Sequence, residues 1–230
     1  MLVLGIDSTS DAATAAVVRD GVLLCEYTQN QKKTHSVKML PMVMEMLGDL
    51  ELALSDIDVF ACGIGPGSFT GVRIGAATVR SFCDSLKKPA VAVTSLEALY
   101  NNVNSFDGTV ISLVFARENE CYTAVYENAK EVVSPAVMTT EEIIALAGDK
   151  KCIFVGDGAL INHEKLSTLA NASFAQGRHN VISAAAIAEI AYKKAVIGEV
   201  GNSNVISPLY LRKSQAEREY DEKHKTEAKS

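Results

Sequence analysis

Leu2-Val3-Leu4-Gly5-Ile6-Asp7-Ser8-Thr9-Ser10-Asp11-Ala12-Ala13-Thr14-Ala15-Ala16-Val17-Val18-Arg19-Asp20-Gly21-Val22-Leu23-Leu24-Cys25-Glu26-Tyr27 opens the chain with three apolar runs. Leu2 to Ile6 reads as a buried strand, Thr14 to Val18 as a second and Val22 to Tyr27 as a third, with Asp20-Gly21 as the hairpin turn between the last two. Together they make a three-stranded meander. The pattern then changes to a helical stretch from about Ser36 to Leu47, a strand at Val59 to Ile64, a glycine-rich loop, a helix from about Thr70 to Leu86 and a short strand at Ala90 to Val93. From Thr109 the order restarts. Thr109 to Phe115, Cys121 to Tyr126 and Lys130 to Val133 read as strands with a turn at Asn128 to Lys130, and Thr139-Thr140-Glu141-Glu142 starts a helix before Ile143 to Ala147. Cys152 to Val155 is a further buried strand and Ser183 to Val196 an alanine-rich helix. The chain therefore reads as α/β with two structurally duplicated lobes, residues 1–107 and 108–212, dividing near Ser105 to Gly108. Residues 213–230 are dense in charge and poor in apolar side chains, which reads as a disordered tail.

The chain is long enough for both lobes to bury a core, and 48% hydrophobic with 22% charged residues is the balance of an ordinary globular protein. A net charge of -6 argues against broad capture of nucleic acid by this chain alone, because phosphate affinity draws on clustered Lys and Arg. Any RNA would be held by another subunit. Five widely spaced cysteines inside apolar runs read as core hydrophobes rather than a disulfide framework. No leader and no membrane-spanning apolar stretch is visible, so the expected compartment is the cytoplasm.

Two regions carry candidate chemistry. Asp7, Ser8 and Thr9 at the first strand's end either present hydroxyls and N–H groups to a nucleotide or phosphate, or merely close the turn by side chain to backbone bonds. Gly63-Ile64-Gly65-Pro66-Gly67-Ser68-Phe69-Thr70-Gly71 permits backbone paths closed to other residues, yet it lacks the Gly-Lys-Ser/Thr of a P-loop and misses the dinucleotide fingerprint by one residue. It reads either as an anion site at a helix start or as a tight connection capped by Ser68 or Thr70. Beyond it, Gly71, Gly75 and Val79 form a stripe of small side chains on which another helix could lie close. The helix bearing Met39, Leu40, Met42, Val43, Met44 and Met46 is apolar nearly all round, so its outer face expects a partner, with Met39, Met42, Val43 and Met46 as contact residues. Lys32, Lys33 and His35 lead into that helix and face either a phosphate or acid at the interface, or solvent. His35, His163, His179 and His224 form no metal-ligating pair, and no nucleophile elbow is present, so neither a metal site nor a catalytic residue is expected.

Gly65-Pro66-Gly67-Ser68-Phe69-Thr70-Gly71-Val72-Arg73-Ile74-Gly75 closely resembles the TsaB (YeaZ) family of tRNA threonylcarbamoyladenosine biosynthesis. The likeness extends to Ile6-Asp7-Ser8-Thr9, to Thr34-His35-Ser36 with Leu40-Pro41, and to Pro208-Leu209-Tyr210-Leu211-Arg212. It implies an actin-like ATPase (ribonuclease H-like) fold and a non-catalytic scaffold subunit that binds the catalytic paralogue TsaD, with TsaE completing the complex. It further implies a homodimer through the same surface when TsaD is absent, contact with tRNA only through the complex, and no tightly held cofactor beyond ATP or ADP at the TsaD interface. Arg73 joins Gly71, Gly75 and Val79 as an expected partner contact, and Lys33 joins Asp7, Ser8 and Thr9 as a candidate phosphate contact. One departure stands out: Phe115-Ala116-Arg117 occupies the place of the family's Asp-Ala-Arg. The rival readings are an ATP-dependent phosphotransferase using Asp7, Ser8, Thr9 and Gly156-Asp157-Gly158, which Phe115 disfavours, and a glycoprotease-like metallopeptidase, which the missing ligands disfavour.

Overall fold

The computed structural model describes residues 1–30 and 35–212, with side chains from Lys38 onward in the first helix. Lys32, Lys33 and the tail 213–230, on which expectations were placed, lie outside the described residues.

The opening meander is β1 (Leu2–Asp7), β2 (Ala12–Arg19) and β3 (Val22–Asn30), all antiparallel. Asp20 and Gly21 both take positive φ, at 51° and 82°, as a two-residue hairpin turn matched to strand twist demands. On the other side of β1 lie the parallel strands β4 (Val59–Gly63) and β5 (Ala90–Val93), giving the order β3-β2-β1-β4-β5. The second sheet repeats this plan with β6 (Thr109–Arg117), β7 (Glu120–Glu127), β8 (Lys130–Thr139), β9 (Cys152–Val155) and β10 (Ala172–Phe174), in the order β10-β9-β6-β7-β8. The short edge strand β10 escaped the sequence reading because Ala172-Ser173-Phe174 is too brief to show a period.

The helices are α1 (His35–Asp49), α2 (Phe69–Leu86), α3 (Ser95–Asn101), α4 (Thr140–Ala147), α5 (Asp157–Ile161), α6 (His163–Leu166) and α7 (Ala184–Val196). Helix α4 carries the capping box that Thr139 and Glu142 announce, with Glu142 N–H donating to Thr139 Oγ1 and Thr139 N–H to Glu142 Oε2. Helices α1 and α2 cover the outer face of the first sheet, where Leu4, Ile6, Phe60, Met39, Met46, Val79 and Phe82 pack together. Helices α4, α5 and α6 lie with Ile111, Leu113, Phe154, Ile143, Ala159 and Leu166 on the outer face of the second. A third core lies between the sheets and contains α3 and α7, through Leu96, Leu99, Ile187 and Ile190.

That middle layer corrects the lobe boundaries. By sequence order α7 belongs to residues 108–212, but it packs on β1, β2, β4 and β5 of the first sheet, while α3 packs on β6 and β7 of the second. The cause is steric. Gly5 in β1 has no side chain, and a Cβ there would stand 2.6 Å from Ala184 O and 2.9 Å from Ala188 N, so the alanine face of α7 settles directly on the strand. Glu26 of β3 then fixes the start of α7, accepting from Ser183 Oγ at 2.7 Å and Ala185 N–H at 3.0 Å. Residues 206–210 also return to the first lobe, with Ile206 in its outer core. Among the described residues no helix is long and apolar enough to cross a membrane.

Candidate functional site

Two places could carry function: the outward side of α1 and α2, and the cleft between the lobes. On α1 the structure reverses the expectation for four contact residues. Met39, Met42, Val43 and Met46 are at most 4% exposed and fill the chain's own outer core, so they are not available to a partner. The flexible thioethers take up the irregular groove between sheet and helix, a use the composition did not separate from an interface. The side of α1 that does face water holds Leu40 and Met44, 48% and 50% exposed, with exposed Pro41 between them. The main chain of His35 begins the helix, and its side chain is not among those described.

The small-residue stripe of α2 is likewise turned inward, a second correction. A Cβ at Gly71 would collide with the Ser8 carbonyl oxygen, one at Gly75 would lie 2.9 Å from Ser8 Oγ, and Val79 is fully buried. The stripe thus admits the β1–β2 connection rather than a foreign helix. Ser68 caps α2 by accepting from Gly71 N–H at 3.2 Å, as one of the two readings of the loop held. The exposed side of α2 carries Thr70, Arg73, Ala77 and Ser81, spaced three to four residues apart on one face. Arg73 Nε donates to Tyr210 Oη at 2.9 Å, and the Tyr210 ring stacks on Phe69 with centroids 4.8 Å apart.

Asp7, Ser8 and Thr9 are together at the end of β1, but all three are buried and their polar atoms are engaged within the chain. Thr9 donates its N–H to Asp7 Oδ2 at 3.0 Å and its hydroxyl to Asp7 Oδ1 at 2.9 Å, with Ser95 Oγ 2.9 Å from Thr9 Oγ1. Ser8 Oγ donates to Gly71 O at 2.8 Å. The turn-closing reading therefore replaces the phosphate reading for these side chains. Burial pushes the Asp7 carboxyl up to about 7, against the opposing pull of the Thr9 bonds.

The interlobe cleft has a volume of about 550 Å³ and is walled by Thr9 to Ala12, Asn30, Gly67 and Ser68 from the first lobe, and by Phe115, Asp157, Leu160 and Ile161 among others from the second. Asp157 opens onto it and accepts from Phe115 N–H at 2.9 Å. Crowding by the cleft walls, and then the charge of Asp11, raises the Asp157 carboxyl above the usual range. The ionisable groups of the described lining are two carboxylates, Asp11 and Asp157. His163 lies against Phe174 with ring centroids 4.2 Å apart, and His179 sits in the turn Gly177–Asn180. Among the described residues no group of three or more His, Cys, Asp or Glu is placed to hold a metal ion. The reading of the sequence overlooked Asp11 and the Phe69–Tyr210 stack; the run Pro208 to Arg212 between a polar stretch and a charged tail was the signal for the latter.

Comparison with known proteins agrees with this geometry. A family described as "TsaD: tRNA N6-adenosine threonylcarbamoyltransferase" matches residues 22–220. The tRNA threonylcarbamoyladenosine biosynthesis protein TsaB of Bacillus subtilis (strain 168) is 28% identical over 98% of this chain and its own full length. Among solved structures, YeaZ from Pseudomonas aeruginosa superposes with a TM-score of 0.80 at 25% identity, covering 91% of this chain and 99% of that one. Component A of the Acidaminococcus fermentans (R)-2-hydroxyglutaryl-CoA dehydratase, with a TM-score of 0.53 at 11% identity over 85% of this chain and 99% of that one, shares the fold alone. The duplicated lobes are thus those of the actin-like ATPase, ribonuclease H-like fold. The chain belongs to the family of the tRNA N6-adenosine threonylcarbamoyltransferase TsaD, in its TsaB (YeaZ) branch.

Proposed function

We propose that this chain is a cytoplasmic, non-catalytic scaffold subunit in the formation of threonylcarbamoyladenosine in tRNA, docking on a TsaD-type paralogue through the outward side of α1 and α2. The observation that carries this is the pair Leu40 and Met44, left about half exposed on a helix whose opposite side is a filled core. A face of this kind, beside the small side chains Ala77 and Ser81 of α2, suits close packing by another helix pair. Full coverage would bury on the order of 1,600 Å² in total. In the absence of the paralogue, a second copy of the chain takes the same face and forms a homodimer. TsaE completes the complex, tRNA is reached only within it, and any ATP or ADP sits at the interface with the TsaD-type paralogue. The acidic, base-poor lining described for the interlobe cleft favours this reading over a phosphotransferase.

Leu40→Glu with Met44→Glu tests the proposal, because both side chains already face water and their loss spares the core. Co-purification with the TsaD-type paralogue and threonylcarbamoyladenosine formation should both fall by at least about tenfold, the equivalent of roughly 1.4 kcal/mol. Undiminished binding and modification would remove the assigned face.

A further inference from the structure

The last described residues touch both lobes. After Ile206, which is fully buried in the first lobe, the chain runs beside the glycine-rich loop, where Leu209 N–H donates to Ile64 O at 2.8 Å. Tyr210 then stacks on Phe69 and accepts from Arg73 Nε, both on α2. Leu211 packs into the core between the sheets, and Arg212 reaches the second lobe, with Nη1 3.6 Å from Glu120 Oε2. That carboxylate is shared, since Arg117 Nε also donates to Glu120 Oε2 at 2.8 Å. Arg212 and Glu120 are 15% and 19% exposed, so their pairing is screened less than a surface ion pair.

The lobes are also joined by two chain crossings, between α3 and β6 and between β10 and α7, by the core between the sheets, and by α3–α7 bonds such as Lys194 Nζ to Glu97 Oε1 at 2.8 Å. Residues 206–212 add a further link beside these. Each of its holds can open without unfolding a strand. One hold, Tyr210, depends on Arg73, which stands exposed on the same side of α2 as Ala77 and Ser81. A guanidinium bonds a carboxylate more strongly than it bonds a neutral phenol oxygen.

We propose that Ile206–Arg212 is a clasp that fixes the angle between the lobes, and that Arg73 is its release: a carboxylate offered by a partner seated on the α1 and α2 face draws Arg73 from Tyr210 and loosens the clasp. The release step rests on the docking reading above; the clasp itself does not. Docking on the first lobe is thereby coupled to the width of the interlobe cleft, whose wall includes Gly67 and Ser68 next to Phe69.

The test is a distance measurement between spin labels on the full chain, at Ser55→Cys in the first lobe and Asp149→Cys in the second, both exposed positions, with Cys25→Ser to remove the one cysteine that is not buried. The unaltered clasp should give a single narrow distribution. Tyr210→Ala and, separately, Arg212→Gln should broaden it and move its mean, while thermal melts show both variants folded. Adding the TsaD-type paralogue to saturation should produce the same change in the otherwise unaltered chain, and Arg73→Lys, which keeps the charge but loses the guanidinium fork, should show part of the change without the paralogue. An unchanged distribution in both clasp variants overturns the clasp. A change in those variants with none on saturation by a bound paralogue overturns the release, whereas failure of the paralogue to bind at all counts against the docking reading and leaves the variants to decide the clasp.

Discussion

The two sheets share one strand order, yet their outer helices differ in kind. The first lobe carries α1 of 15 residues and α2 of 18, while the second carries α4, α5 and α6 of 8, 5 and 4. The long pair leaves Leu40 and Met44 in water. Around the short set run polar links, including Asn119 Nδ2 to Glu141 Oε2 at 2.9 Å and Lys165 Nζ to Glu141 Oε1 at 3.5 Å. The duplicated fold is thus used asymmetrically: among the outer helices, the first lobe exposes its apolar side chains on the outward side of α1, whereas those of the second, Leu160 and Ile161 of α5 at 54% and 58% exposed, line the interlobe cleft. The strand ends diverge in the same direction, with β1 ending on the buried carboxyl of Asp7 and β6 presenting Phe115 to the cleft, 38% exposed.

The largest effect that would sharpen this contrast lies at Asp7. Its proton is held to about pH 7 in the folded chain but released near pH 3.8 when the chain unfolds. The favourable contribution is therefore complete below about pH 3.8 and is lost as the pH rises through about 7, with a difference on the order of 4 kcal/mol. Asp7→Asn keeps an acceptor for Thr9 and removes the titration, so its urea midpoint, compared with that of the parent chain, should gain steadily between pH 4 and 7. Parallel curves for the two proteins would show that Asp7 does not keep its proton. Phe115, at the corresponding strand end of the second lobe, has no such group.

A smaller effect separates the two hairpin turns. In the first lobe the turn is Asp20-Gly21; in the second it is Asn128-Ala129, with φ of 51° and 61°, so a β-carbon occupies a left-handed position that a glycine holds in the other lobe. Ala129→Gly should raise stability by about 0.5 to 1 kcal/mol, the relief of the Cβ strain exceeding the entropy glycine adds to the unfolded chain. A lower melting temperature in that variant would mean that the strain is absent.

The turns also show why some of the fold was legible and some was not. Strand periods and turn residues are local, so both meanders, the Asp20-Gly21 hairpin and the cap at Thr139 could be read directly from the residues. The side chosen by each helix is not local. Met42 and Met44 are two residues apart in one apolar run, and which of them meets the sheet depends on how α1 sits against β2 and β3, which no spacing in an all-round apolar helix fixes. Glycines misled for a related reason: Gly71 and Gly75 do mark a close approach, but it is by Ser8, through its carbonyl at Gly71 and its hydroxyl at Gly75, some sixty residues earlier in sequence. The destination of α7 was hidden too, since its alanines say that something lies near without saying which sheet.

The asymmetry between the lobes is tested most directly by backbone hydrogen exchange on the full chain, alone and saturated with the TsaD-type paralogue. With the chain alone at a concentration where it is monomeric, adding the paralogue should slow exchange across α1 and α2 and leave α4, α5 and α6 unchanged. Slowed exchange in the second lobe's outer helices, with α1 and α2 unaffected, would contradict the account.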